Sequence, residues 1–203
     1  MSDIYQERYL AHQKKKKDQL AFSIGTNYDK YDSSIASTLD SLLSSRRSQR
    51  VFTNDPIPNK ALREILDSAI TAPTSCNRHA IQLKLVREPS AKSLLAGLLV
   101  GGVGWVQRAN TIILLFADME AYKSPAEKDF MPYCDVGFTA MSLWLSAEAR
   151  NIGCAYINPN IREEHKEIFY KEYPFGLFVG AIALGMYDKK AEQASLPPLR
   201  DLL

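Results

Sequence analysis

The sequence predicts an α+β domain. Segments of helical period and segments of strand character follow one another without a regular βαβ beat. One strand-length run, Thr111 to Ala117, is apolar throughout, the pattern of a central strand covered on both faces. The chain has 203 residues, 46% hydrophobic and 24% charged, enough for a sizeable core in one domain. No internal repeat is visible. We divide the chain into an N-terminal helical extension, residues 1–34, and one domain over residues 35–203.

Within the extension, Ile4, Tyr5, Tyr9 and Leu20 predict a helix over residues 1–22. The run Lys14 to Lys17 reads as a solvated face of it, diluted by Asp3, Glu7 and Asp18. A polar connector fills residues 23–34. Ile35, Leu39, Leu42 and Leu43 predict a helix over 35–45. After Pro56 and Pro58, Asn59 is the expected cap of a helix over 60–71, whose apolar face is Leu62, Ile65, Leu66 and Ala69. Pro73 ends it. Ile81, Leu83 and Leu85 alternate with Gln82 and Lys84, a half-buried strand over 81–86. Residues 90–99 read as helix, and Gly101-Gly102-Val103-Gly104 as a loop. From Asp135 to Ile152 the chain is apolar nearly all round, a helix buried in a core or across a subunit interface. Strand 154–157, helix 161–170 and strand 178–186 complete the expected order.

Composition excludes several function classes. Twenty-five basic and 23 acidic residues give a net charge of +2, no argument for nucleic acid or an anionic membrane. The N-terminus lacks the apolar region of a secretory signal. The stretch Leu94 to Val106 carries four glycines and is too short to span a bilayer. Three scattered cysteines fit a reducing compartment, so a cytoplasmic location is expected. No His/Cys pattern predicts a metal. The glycine loop before Trp105 is neither a Walker loop nor a dinucleotide fingerprint.

Two segments carry chemistry. Arg46-Arg47-Ser48-Gln49-Arg50-Val51-Phe52 places three guanidiniums and a hydroxyl at the end of a helix. Helix-end cations explain one or two of them. A phosphate explains all four, because the guanidinium fork matches its oxygens. About one helix later, Ala72-Pro73-Thr74-Ser75-Cys76-Asn77 is a proline-broken turn rich in hydroxyl and amide groups. Cys76 has no CxxC partner and no Lys or carboxylate beside it in sequence.

These segments, with the intervening helix, resemble the FMN-dependent nitroreductase family. Asp135-x-Gly137, the segment from Asn151 to Pro159, and Ala183-Leu184-Gly185 are similar to the second half of that family. The resemblance covers about residues 40–203. It implies a nitroreductase-like fold with a central mixed sheet flanked by helices, and a homodimer sharing two flavin sites. It also implies FMN, reduced by NADH or NADPH, passing electrons to a small organic acceptor such as a nitroaromatic or a quinone. A protein of the same fold that stores flavin without turnover is the alternative. Position by position, Arg46 and Ser48 would hold the phosphate, and Arg47 would contact the ribityl or phosphate region. Arg50 would lie at the pyrimidine edge. Pro73, Thr74, Ser75 and Asn77 would reach the flavin from the partner subunit, and Ile157, Asn158 and Pro159 would line the ring. His79 and Trp105 are candidate substrate contacts. No protein acid, base or nucleophile is implied. The sequence departs from the family pattern in three places. Arg78-His79-Ala80 replaces Gln-Pro-Trp, Leu196 replaces an arginine, and Pro159 stands in a loop that commonly holds glycines.

Overall fold

The computed structural model describes residues 33–195, together with Lys14, which is helical. The expected helix over 1–22 and Leu196 otherwise lie outside the described residues. The chain divides into two compact units after Ser41, within the first helix, α1 (Ser33–Ser45).

The core unit is built on a four-stranded sheet. Its strands are β1 (Ile81–Val86), β2 (Thr111–Ala117), β3 (Gly153–Ile157) and β4 (Leu177–Gly185). Their spatial order is β1-β2-β4-β3, and every neighbouring pair is antiparallel. This corrects the mixed sheet expected from the sequence. β2 and β3 do run parallel, joined by a helical crossover. β4 inserts between them and pairs antiparallel with both, so no parallel pair forms.

β2 explains its own sequence. Ile113, Leu115 and Ala117 face one core, and Ile112, Leu114 and Phe116 face a second on the other side of the sheet. A strand sandwiched this way favours apolar residues, which run unbroken from Ile112 to Ala117, and all seven of its residues, Thr111 included, are buried. The first core is closed by α2 (Asn59–Ile70) and α4 (Pro125–Glu148), through Leu62, Ile65, Val136, Ala140 and Leu143. The second is closed by α3 (Pro89–Leu98) and α5 (Lys166–Glu172), through Leu95, Leu98 and Phe169. A bulge in β4 keeps its side chains on the right faces. The register with β2 slips between Leu115↔Gly180 and Phe116↔Phe178. Gly180 has φ 144°, and a Cβ there would strike the Tyr156 hydroxyl, which donates to Val179 O at 2.7 Å.

Several element boundaries differ from expectation. Asn59 does not cap α2; Pro58 precedes the helix without a side-chain cap bond. The expected helix over 161–170 is a 3-10 turn, Glu163–His165, followed by α5, while Ile161 bridges to Leu99. Helix α4 begins ten residues before Asp135. Ser124 and Glu127 form a reciprocal capping box, and Pro125 occupies the first turn, where its missing N–H costs nothing. Pro132 sits inside α4 without ending it. The helix ends at Glu148 rather than continuing to Ile152. Asn151 turns out at φ 53°, and Ile152 N donates back to Ala147 O at 3.0 Å. Within the single chain α4 is not covered on every side. Phe130, Tyr133, Phe138 and Met141 form an exposed apolar stripe along it. No described helix is long and apolar enough to cross a membrane.

Candidate functional site

The arginine-rich segment leaves α1 and runs extended past the ends of β3 and β4. Gln49 N donates to Cys154 O at 2.9 Å, and Thr53 N to Met186 O at 2.8 Å. In an extended chain alternate side chains face opposite ways. Gln49 is accordingly buried, while Ser48 is half-buried and Arg50 exposed. Two adjoining clefts open along this segment. One, of about 480 Å³, lies between residues 48–53 and 188–192. The other, of about 430 Å³, is walled by Arg46, Arg47 and Ser48 on one side and Ala191, Glu192 and Gln193 on the other. Both volumes suit a small organic ligand.

The donors here divide sharply. Arg47 is committed: its guanidinium donates to Ser44 O at 2.7 Å, Arg46 O at 2.8 Å and Gln193 Oε1 at 2.8 Å. The Arg46 guanidinium lies 4.5 Å from the Trp144 ring centroid, and Trp144 in turn donates to Arg47 O at 3.2 Å. Arg50 lies 5.8 Å from the Trp105 ring centroid. Neither Arg46, Ser48 nor Arg50 directs a side-chain hydrogen bond at another described residue. Two cations and a hydroxyl with open donors, facing a cleft, make a site for an anionic group such as phosphate.

Trp105 joins the glycine loop to this site. Its ring lies 6.3 Å from that of Phe52, and its Nε1 donates to Gly101 O at 3.0 Å. It is half-buried, neither a core residue nor a free one. A Cβ on Gly101 would come within 3.3 Å of Ile157 and 3.4 Å of Asn158 Oδ1. Ile157 is buried, Asn158 exposed and Pro159 half-buried. Arg46, Ser48 and Arg50 thus line one cleft, and Arg50 is followed through Trp105 and Gly101 to Ile157 and Asn158 within one chain.

The turn after α2 lies elsewhere. Pro73, Asn77 and His79 are exposed, and Thr74 and Ser75 half-buried. Cys76, Asn77 and His79 take φ values of 51°, 56° and 49°, a left-handed backbone that side chains resist. Fixed bonds hold it there. Ser75 N donates to Asp135 Oδ1 at 2.9 Å, and His79 N to Thr74 Oγ1 at 3.1 Å. Asp135 is fully buried, and its other oxygen accepts from the Tyr122 hydroxyl at 3.0 Å. Burial first, and then that bond, push the Tyr122 hydroxyl well above its ordinary range. Arg78 clamps the turn to the start of α4 through two bonds to Glu127, at 3.1 and 3.3 Å. Those bonds raise Arg78 and hold the Glu127 carboxyl below its ordinary value, helped by the Lys123 amide. Asp135 lies nine residues before Trp144 on α4, roughly 13 Å along the axis. No cleft described above includes both the turn and the arginine segment.

Sequence reasoning missed Tyr122 and Glu127, which belong to no motif, and gave no role to Asp135 or Gln49, although both stand within quoted motifs. Their signals were faint: an acidic residue within an apolar helix, and the inward parity of Gln49 between two outward-facing residues. Cys154 is buried, which pushes its thiol up and leaves it inert.

A nitroreductase family model matches residues 43–103 and 98–186. An NADH dehydrogenase of Thermus thermophilus is 37% identical over 75 residues, 37% of this chain and 36% of that protein. An FMN reductase [NAD(P)H] of Bacillus subtilis is 26% identical over 175 residues, 76% of this chain and 68% of that protein. The match therefore spans about a third of the Thermus protein and about two thirds of the Bacillus one. Among solved structures, a nitroreductase-type protein of Desulfovibrio desulfuricans in complex with FMN superposes with a TM-score of 0.68 at 24% identity, covering 78% of this chain and 91% of that one. With a family model covering most of its length and its fold shared with a solved member, the chain belongs to the nitroreductase family.

Proposed function

We propose that this chain is an FMN-dependent oxidoreductase that takes electrons from NADH or NADPH and delivers them to a small organic acceptor such as a nitroaromatic or a quinone. The observation that carries this reading is the pair of clefts where Arg46, Ser48 and Arg50 present uncommitted donors. That donor set suits a ligand with a phosphate at one end and a planar polar group at the other. The names of the Bacillus and Desulfovibrio relatives supply FMN as that ligand. FMN, when bound, supplies the redox centre.

The residues of this chain bind and orient it. Arg46 and Ser48 take the phosphate, and Arg47 braces the segment that carries them. Arg50 and Trp105 lie toward the ring, which Ile157, Asn158 and Pro159 line. Pro159 has no N–H, so any amide donor to the ring there comes from a neighbouring residue. Pro73, Thr74, Ser75 and Asn77 act from a second copy, with His79 on the substrate side. Their distance along α4 from Arg46 in one chain supports this division. So does the exposed stripe Phe130, Tyr133, Phe138 and Met141, which a homodimer would cover. Unpaired Cys76, Cys134 and Cys154 suit the reducing cytoplasm.

The test is a visible spectrum of the purified protein, followed by anaerobic addition of NADH and then NADPH. Flavin bands that bleach support the oxidoreductase. Bands that persist support a flavin-storing protein instead. Absence of bands together with failure to take up added FMN overturns the reading.

A further inference from the structure

Gln49 is only 3% exposed, within a segment whose neighbours open to solvent. Its amide is fully engaged. Nε2 donates to Val51 O at 2.8 Å and to Lys189 O at 3.1 Å, and Oε1 accepts from Ala191 N at 2.8 Å. One side chain thus ties the chain after β4 to the arginine segment through both its donor and acceptor atoms. Gly153 makes the seat for it, since a Cβ there would lie 2.7 Å from Gln49 Cγ. Two further ties hold the same stretch. Arg47 reaches Gln193, and Lys190 pairs with Glu148, whose carboxylate also accepts from Ser45 Oγ at 2.8 Å. Residues 188–192 are the far wall of one cleft and 191–194 that of the other.

We propose that Gln49 is a positioning residue, which fixes residues 188–194 as the closing wall of the anion-binding cleft, with Arg47 as the second clamp on that wall. This rests on the FMN reading of the cleft. Closure of the wall and occupation of the cleft are then coupled, and the coupling is reciprocal: whatever holds the wall favours the ligand, and the ligand protects the wall. The Arg47–Gln193 tie holds the wall of the cleft that Arg46 and Ser48 line, so its loss weakens the phosphate end more than the ring end.

The experiment uses the full chain and two variants. Gln49→Glu keeps the size and the acceptor of the side chain but loses both N–H donors. Gln193→Ala changes an exposed residue, where folding is not at stake. Trypsin cleavage after Lys189 and Lys190 is followed by mass, with and without FMN. FMN and riboflavin are titrated in parallel by flavin fluorescence. We expect Gln49→Glu to be cleaved about tenfold faster and to bind FMN about tenfold more weakly, the scale of one lost hydrogen bond. Riboflavin should lose less than about threefold. Gln193→Ala should follow in the same direction with smaller changes, and FMN should slow cleavage of the parent. Cleavage of both variants at the parent rate overturns the proposal. So does faster cleavage of either variant with an unchanged preference for FMN over riboflavin. A parent that binds FMN while the variants keep its full preference overturns only the role of Gln49. A parent that binds neither flavin overturns the cofactor reading itself, and this role with it.

Discussion

The arginine segment and the turn after α2 are both polar and both lie near α4, yet they are built in opposite ways. Around residues 46–50 no residue takes a left-handed backbone, and Arg46, Ser48 and Arg50 line an open cleft. Around residues 74–79 three side-chain-bearing residues hold left-handed backbone, and the Ser75 and His79 amides and the Arg78 guanidinium are bound internally by Asp135, Thr74 and Glu127. The first region has the character of a receptor. The second has the character of a fixed shape, held at a cost that the rest of the fold must offset. Substitutions in the two should therefore fail in different assays.

The largest effect is expected at Asp135. Asp135→Ala strips the partner from the Ser75 amide and from the buried Tyr122 hydroxyl together. Each stranded donor costs about 1–3 kcal/mol. With the cavity left behind, the loss should reach about 3–5 kcal/mol in urea unfolding. Arg46→Ala should move the same midpoint by less than about 1 kcal/mol, since only the contact with Trp144 is lost. Equal losses would mean that the turn is no more a structural device than the arginine segment.

In ligand binding the order reverses. A charge-assisted hydrogen bond contributes about 1.5–3 kcal/mol, so Arg46→Ala should weaken FMN by roughly one to two orders of magnitude. Riboflavin, without the phosphate, should bind parent and variant alike. Titration of apo-protein with both flavins checks this. An unchanged FMN affinity would remove Arg46 from the phosphate site.

Acidification should separate the regions again. The Glu127 carboxyl sits below its ordinary value of 4.5, first because of the bonds from Arg78 and then because of the Lys123 amide. A group whose pKa is lowered by folding stabilises the fold fully above its unfolded value and loses that contribution as pH falls through its folded value. Melting temperature should decline from about pH 4.5 downward in the parent, and Glu127→Gln should flatten part of that decline. Superimposable profiles would show that the clamp on the turn carries no measurable stability.

How much of this was legible in the sequence follows from how local each signal is. β1 matches the alternation of Ile81, Leu83 and Leu85 to the residue, because one face of that strand packs against the first core. β2 was visible because burial on both faces leaves only apolar residues. The start of α4 was not, since Pro132 and the charged stretch 127–129 interrupt the apolar period, and the real start signal is the small pair Ser124 and Glu127. The antiparallel order was hidden because the insertion of β4 between β2 and β3 is a property of the whole sheet. At the site, clustered arginines announced themselves within five residues. Asp135 and its partner Ser75 are 60 residues apart in the chain, so their meeting has no local trace. Gln49 left only its parity.

The smallest expected effect belongs to Arg50, and it tests whether the receptor region is itself uniform. Arg50 is exposed, and its one described side-chain contact is a distant stack on Trp105. An exposed contact of that kind contributes about 0.5–1 kcal/mol, so Arg50→Ala should weaken FMN by less than about fivefold. Its position toward the ring end gives it a different lever. Reduction of the flavin adds negative charge, and a nearby cation stabilises that charge by about 1 kcal/mol when water screens the pair. For a two-electron couple this corresponds to about 20 mV. Arg50→Ala should lower the bound flavin's potential by about that amount, while Arg46→Ala, at the phosphate end, should leave it close to the parent value. Potentials of the two variants, measured by equilibration against a reference dye, decide between them. If Arg46→Ala shifts the potential and Arg50→Ala does not, the cofactor lies in the cleft the other way round.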